Sequence, residues 1–252
     1  MPLEAPLAPA TERAAELDAR FARHGATAIL RHALSDAQVG RIALVSSFGA
    51  EAAVLLHMVS VIDRTTPVIF LDTEMLFPET LAYQQALTDL LGLADVRLER
   101  PDRAQVFATD PDATLHRTQP DACCALRKAA PLARALAPFD AWITGRKRFQ
   151  GGRRAGLPAF EADAAGRIKV NPLARWEPGD VTDYMVNNRL PRHPLVAHGY
   201  ASLGCAPCTT PVAAGEDPRA GRWRGRGKTE CGIHFDGGRV VRGTAGGAVH
   251  ER

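Results

Sequence analysis

The stretch from Arg41 to Thr73 constrains the fold more than any other part of this chain. RIALVSSF (41–48) and PVIFLDT (67–73) are short runs rich in β-branched and apolar residues, and EAAVLLHMVSVI (51–62) between them reads as a helix. Strand, helix and strand in that order form a βαβ unit, and the pattern continues. PETLAYQQALTDLLG (78–92) predicts a helix with Pro78 in its first turn and Gly92 at its end, followed by a strand at ADVRLER (94–100). A helix through CCALRKAAPLARAL (123–136) and a strand at DAWITGR (140–146) complete the alternation. The fold class expected is therefore α/β, a mostly parallel sheet flanked by helices, with ligands at the carboxyl ends of the strands.

The flanking segments fit around this unit. Apolar residues at helical spacing between Thr11 and Leu34 predict one or two amphipathic helices that cover an edge of the sheet. After Gly145 the character changes. RKRFQGGRRAG (146–156) is rich in arginine and glycine, and reads either as a solvated loop or as one that closes on a polyphosphate-like anion. AFEADAAGRIKVNPLA (159–174) suggests a hairpin turning at Gly166, and PGDVTDYMVNNRL (178–190) a helix with Pro178 near its start. At 252 residues and 46% hydrophobic content the chain is long and apolar enough for a sizeable core. A net charge of +3, from 31 Lys plus Arg against 28 Asp plus Glu, is too small to signal a nucleic-acid partner. The N-terminal residues lack the basic start and apolar run of a signal peptide, and no stretch is long enough to span a bilayer, so a cytoplasmic location is expected.

SSFGAE (46–51) falls between a strand and a helix, where backbone N–H groups and the helix dipole favour an anion. It lacks the GK[ST] of a P-loop and the GxGxxG of a dinucleotide fold, and an ordinary turn capped by Ser47 is the competing reading. LDTE (71–74) closes the next strand beside it, with Asp72 either a helix cap or a binding carboxylate.

The five cysteines carry the sharpest chemical signal. Five is an odd number, and in a reducing compartment it points to metal binding or chemistry before a disulfide framework. Cys123 and Cys124 are adjacent, while Cys205 and Cys208 form a C-x-x-C. Four thiolates complete either a Cys₄ zinc site or a [4Fe–4S] cluster. A vicinal pair bites poorly on a single ion, whereas a cubane offers separate irons to neighbouring sulfurs, so the spacing leans to iron–sulfur. Cys231 is then left over, in GRWRGRGKTECGIH (221–234), among basic residues that lower a thiol pKa if they fold around it. Its glycines and lack of apolar periodicity predict a mobile arm carrying a nucleophile; a disordered basic tail with an incidental cysteine is the alternative. With no second thiol spare in its own chain, an adduct on Cys231 needs one from another molecule, for which a dithiol carrier such as thioredoxin or glutaredoxin fits.

SSFGAE, LDTEMLFPET, CCALRKAAPL, ITGRK, KVNPLARW, LPRHPLVAHGYASLGCAPCTTPV and GRWRGRGKTECGIH together resemble the assimilatory sulfonucleotide reductases, and among them the iron–sulfur branch. The resemblance implies a fold of the adenine-nucleotide α-hydrolase type and a [4Fe–4S] cluster on Cys123, Cys124, Cys205 and Cys208. It implies Cys231 as the nucleophile that takes sulfur from adenosine 5′-phosphosulfate (APS), with AMP leaving and thioredoxin releasing sulfite from an S-sulfocysteine, in sulfate assimilation and cysteine biosynthesis. Substrate contacts are implied for Ser46, Ser47, Phe48, Gly49 and Glu51, for Leu71, Asp72 and Thr73, and for Lys128, Gly145, Arg146, Arg219 and Arg222. Lys128, four residues after Cys124, is expected about one helical turn away, where it would couple cluster and substrate electrostatically. Relatives are often oligomers.

Some positions depart from the family pattern. Glu74 stands where glycine is frequent, so crowding of the nucleotide or a changed backbone is expected near Leu71 to Thr73. GRK replaces GRR at 145–147 and VTDY replaces a tryptophan-containing segment, both expected to be tolerated. The domain division expected is an N-terminal helical segment (1–40), a nucleotide-binding α/β domain with the iron–sulfur site (41–218), and a C-terminal catalytic arm and extension (219–252). The competing readings are a reductase of 3′-phosphoadenylyl sulfate (PAPS) or of both substrates, an ATP pyrophosphatase or tRNA-thiolating enzyme, and a nucleic-acid-binding iron–sulfur regulator.

Overall fold

The structure is a computed structural model that describes residues 8–226, 228 and 230. Six strands form one sheet: β1 (Ile42–Ser46), β2 (Val68–Leu71), β3 (Val96–Glu99), β4 (Ala141–Ile143), β5 (Phe160–Ala162) and β6 (Ile168–Val170). Their order is β3-β2-β1-β4-β6-β5, parallel throughout except for the antiparallel β5–β6 edge pair. The hairpin read from the sequence is thus also an extension of the main sheet, because Ile168–Val170 pairs in parallel with β4. The chain adds β2 and β3 on one side of β1 and then returns to place β4 on the other. Strand order reverses between β1 and β4, and a crevice opens there at their carboxyl ends.

Alternation along the strands decides what each face meets. Leu44, Val68 and Phe70 point into one apolar core, where α3 (Ala52–Ile62), α4 (Pro78–Leu91) and α9 (Pro178–Asn187) cover the sheet. Ala43, Ile69 and Trp142 point the other way, against Leu132 and Leu136. The N-terminal helices α1 (Ala10–Arg20) and α2 (Ala26–Ser35) add Leu17, Phe21, Ile29 and Leu30 to the first core, and α1 packs along the β5–β6 edge. Gly92 ends α4 in the left-handed conformation, with φ 61°.

Two short helices, α5 (Arg103–Thr109) and α6 (Leu115–Thr118), were not legible in the sequence; α5 is capped by Asp102, whose side chain accepts from Gln105 N–H. The long helix predicted over 123–136 is instead α7 (Pro120–Cys124), a π-turn (Ala125–Ala129) and α8 (Ala130–Ala135). Pro131 supplies the reason: it has no N–H to give to the carbonyl four residues back and would clash with it, so the helix widens by one residue to pass. That widening falls on Arg127 and Lys128, beside the vicinal cysteines.

Candidate active site

A cavity of about 500 Å³ occupies the crevice between β1 and β4. The turn after β1 forms one wall, where Ser46 Oγ accepts from Phe48 N–H at 3.2 Å and Ser47, Gly49 and Glu51 line the space. The segment after β4 forms the opposite wall, with Thr144, Gly145, Arg146 and Lys147. Buried Lys147 ties the two together, its Nζ donating to Glu51 Oε2 at 2.7 Å and to Gly145 O at 3.1 Å. Arg146 pairs with Glu161 and donates to Asn171 Oδ1 at 3.1 Å, and burial lowers its pKa from the ordinary arginine value against the pull of Glu161. Leu71 and Thr73 line the cavity from the end of β2; Lys128, Arg154, Arg219 and Arg222 bring further positive charge.

Two of the residues implied by resemblance sit elsewhere. Phe48 is fully buried at φ 46° and packs edge-on against Phe70, with ring centroids 5.0 Å apart, so its side chain supports the turn from beneath. Asp72 is buried, takes Glu74 N–H at 3.0 Å and pairs with Arg100 Nε at 2.9 Å. Both hold the shape of the cavity without lining it.

Glu74 adopts φ 58°, the left-handed region that favours glycine. Its carboxylate does not line the cavity; it lies 3.7 Å from Arg103 Nε and 3.9 Å from Arg127 Nη1. The crowding expected of it is avoided because the backbone turns the side chain toward these arginines.

Behind the main cavity, Cys123, Cys124, Cys205 and Cys208 line a second, smaller one together with Arg127, Lys128 and Trp223. The backbone brings Cys205 there by a bridge to Leu76, with Ala206 N–H donating to Met75 O at 2.8 Å. Thr73 Oγ1 lies 3.2 Å from Cys205 Sγ, and Arg226 Nη1 lies 3.7 Å from Cys208 Sγ. Burial pushes the Cys123 thiol up to about 11, with Cys124 and Cys205 adding to the shift and Arg127 opposing it. Cys208 is raised by burial and then by Cys205. Thr73 and Lys128 line the main cavity, and both also face the cysteines.

Whether this set suits an iron–sulfur cluster can be judged from its chemistry. Among the described residues no three Cys, His, Asp or Glu side chains are arranged to hold a single metal ion. The four thiols nevertheless converge on one cavity, where crowding and burial disfavour free thiolates and a cationic inorganic core would compensate them. Also among the described residues, Arg127 Nε is buried without a hydrogen-bond partner, a donor that a cluster or thiolate sulfur could satisfy. The donor set therefore fits a polynuclear cluster better than one ion.

Part of the C-terminal segment, read from sequence as an unpacked arm, is docked. Arg222 bridges to Thr209, Thr210 N–H donates to Gly221 O at 2.9 Å, and Trp223 N–H donates to Cys208 O at 3.0 Å. Trp223 is buried, with the Arg222 guanidinium 4.5 Å from its ring centroid. Lys228 pairs with Asp121, and Glu230 with Arg154. Gly221 makes the close approach possible, since a Cβ there would run into Thr210 O. The sequence showed the glycines but not that one of them fits against a backbone carbonyl. Cys231 lies outside the described residues. Arg154, Lys147 and Glu230 were missed as individual positions; the basic, glycine-rich stretch at 146–156 was the available signal for the first two.

Sheet order, crevice and charge define a class: a mostly parallel α/β protein whose arginine- and lysine-lined cavity adjoins a cysteine cluster. The phosphoadenosine phosphosulfate reductase domain family matches residues 41–211, and the chain belongs to that family. It is 52% identical over 225 residues to an adenosine 5′-phosphosulfate reductase of Mesorhizobium japonicum, covering 89% of this chain and 88% of that one. It is 42% identical over 199 residues to a phosphoadenosine 5′-phosphosulfate reductase of Gloeobacter violaceus, covering 77% and 82%. A crystal structure of phosphoadenylyl-sulfate reductase from Candida auris, in a phosphate complex, has the same fold, with a TM-score of 0.69 over 82% of this chain and 100% of that one at 24% identity.

Proposed function

We propose that this protein reduces adenosine 5′-phosphosulfate to sulfite and AMP, with a dithiol carrier of the thioredoxin type as reductant, in sulfate assimilation. The observation that carries the reading is the shared wall: Lys128 and Thr73 join a nucleotide-sized cavity, lined also by Arg146, Lys147, Arg154, Arg219 and Arg222, to four convergent cysteines. In this account the loop at Ser46 to Glu51 and the residues Leu71 and Thr73 hold the nucleotide. Lys128, Gly145, Arg146, Arg219 and Arg222 bind the phosphosulfate, and Arg154 joins them.

The Cys231 thiolate attacks sulfur, an S–S bond forms, and the bond from sulfur to the bridging oxygen breaks with its electron pair leaving on AMP. The cations lower this barrier twice, by admitting a thiolate to an anionic sulfuryl group and by stabilising charge that grows on the departing phosphate. The carrier's first thiolate then attacks Cys231 Sγ and expels sulfite; its second thiol resolves the mixed disulfide, so two electrons pass from the dithiol to sulfur.

Cys123, Cys124, Cys205 and Cys208 would hold a [4Fe–4S] cluster, which when bound would supply a fixed charge that polarises the site beside Lys128 and Thr73. Residues 1–40, 41–218 and 219–252 are the proposed helical, nucleotide-binding and catalytic parts. The protein's proposed place of action is the cytoplasm; among the described residues no helix is long and apolar enough to cross a membrane.

The test is sulfite release by anaerobically purified protein given thioredoxin and either APS or PAPS. Sulfite from APS at a much higher kcat/KM supports the reading. A preference for PAPS, the substrate in the name of the Gloeobacter relative, would keep the chemistry and change the substrate; no sulfite from either would remove both.

A further inference from the structure

The main cavity contains an acidic side chain for which the reaction above has no use. Glu230 sits against its cationic wall with a side-chain exposure of only 13%. Arg154 grips it with two parallel bonds, Nε to Oε1 and Nη2 to Oε2, both at 2.6 Å. Arg219 Nη2 lies 3.6 Å from Oε2. Arg154 is itself positioned by Gln150. A guanidinium fork presents the same pair of donors to a carboxylate as to a phosphoryl or sulfuryl group. Glu230 is also the residue immediately before Cys231 in the chain.

We propose that Glu230 is an internal stand-in for the terminal anionic group of the substrate, seated on Arg154 and Arg219 while the cavity is empty and displaced when the sulfonucleotide takes that subsite. The proposal rests on the function proposed above. Its physical basis is that crowded, largely buried arginines need a counter-anion in the free protein, and that two anions cannot share one fork. Ligand binding is then weakened by the fraction of molecules in which the fork is already taken. Displacement also loosens the segment from Arg224 to Glu230, beyond the substrate-holding Arg219 and Arg222, so arrival of substrate and release of the segment leading to Cys231 become one event. Glu230 is a positioning residue in this scheme and takes no part in bond making.

The test compares ADP, which has a phosphoryl group where APS has its sulfuryl group, with AMP, which stops short of it. Calorimetry on the anaerobic full-length protein should show ADP binding the Glu230→Gln variant about tenfold more tightly than the wild type, as expected for a fork occupied by Glu230 about 90% of the time. AMP should bind both within about twofold of each other, whereas simple loss of a negative charge would strengthen AMP as well as ADP. Hydrogen exchange gives a second readout: ADP should speed exchange across 224–230 in the wild type and leave an already fast segment unchanged in the variant. Should the glutamine variant fail to fold, Glu230→Asp keeps the charge but shortens the reach, and should show the same ADP effect.

Equal tightening of ADP and AMP, unchanged ADP affinity, or slower exchange across the segment when ADP binds the wild type would each overturn the proposal. If neither protein binds either nucleotide, the nucleotide reading itself fails and the displacement with it. If both bind and do so alike, that reading stands and only the role of Glu230 falls.

Discussion

Replacing Asp110 with asparagine isolates the charge on which Arg127 depends. The two side chains are 2% and 5% exposed, and Arg127 Nη2 donates to Asp110 Oδ2 at 3.0 Å. Asp110 also takes the Leu115 N–H at 2.8 Å, and asparagine retains an oxygen for that bond. Burial pushes the Asp110 carboxyl up, but the Leu115 N–H and the Arg127 guanidinium more than offset this, and its pKa lies below the usual carboxylate value. Removing one partner of a buried pair costs about 3–5 kcal/mol because the other charge is left without compensation. Glu74, 3.9 Å from Arg127 Nη1, offsets part of this, so the lower end applies, about 3 kcal/mol. In a chain of this length that is a fall in Tm of about 6–12 °C. Urea unfolding followed by circular dichroism measures the loss. The double variant Asp110→Asn/Arg127→Met, which removes both charges, should recover most of it. A single-variant loss below about 1 kcal/mol, or a double variant no more stable than Asp110→Asn, would refute the reasoning.

Three further outcomes follow from the geometry. Lys128→Ala should slow adduct formation on Cys231 by about 10²-fold, as for loss of one preorganised charge, while the visible absorption of the cluster is retained; unchanged adduct kinetics would sever the coupling. Gly221→Ala drives a Cβ into Thr210 O and should cost about 1–3 kcal/mol of segment docking, read as a red shift in the emission of buried Trp223 and faster tryptic cleavage near Arg224. Burial lowers the pKa of His193 and of His57, and burial outweighs Asp36 to lower His32, so the unfolded chain binds these protons more tightly. Stability should be full above the unfolded value of about 6.5 and decline as pH falls toward the folded values, and His193→Gln should flatten part of that slope in a series of urea titrations.

The alternating strands and helices were legible because period and punctuation agree in them: Pro78 and Gly92 bracket α4 as predicted, and Ile42–Ser46 and Val68–Leu71 have the composition of buried parallel strands. The cysteine pairs also declared themselves by spacing, and the structure brings them to one cavity. What stayed hidden depends on three-dimensional fit. The π-turn at Ala125–Ala129 needs Pro131 to be read as an obstacle within a helix. The joining of β6 to β4 is a tertiary pairing with no local sign, as is the docking of Gly221 against Thr210. Arg154 was one basic residue among several until Glu230 marked it out. Glu74 looked like an intruder in the nucleotide site because only its position, and not its left-handed backbone, could be read.

The most direct test of the central claim is mass spectrometry of the anaerobically purified protein after incubation with APS or PAPS in the absence of reductant. The account predicts a sulfonate adduct confined to the peptide that contains Cys231, forming faster with APS and removed by thioredoxin as sulfite. Protein with an intact cluster that gains no adduct from either nucleotide, or gains it on another cysteine, would contradict it.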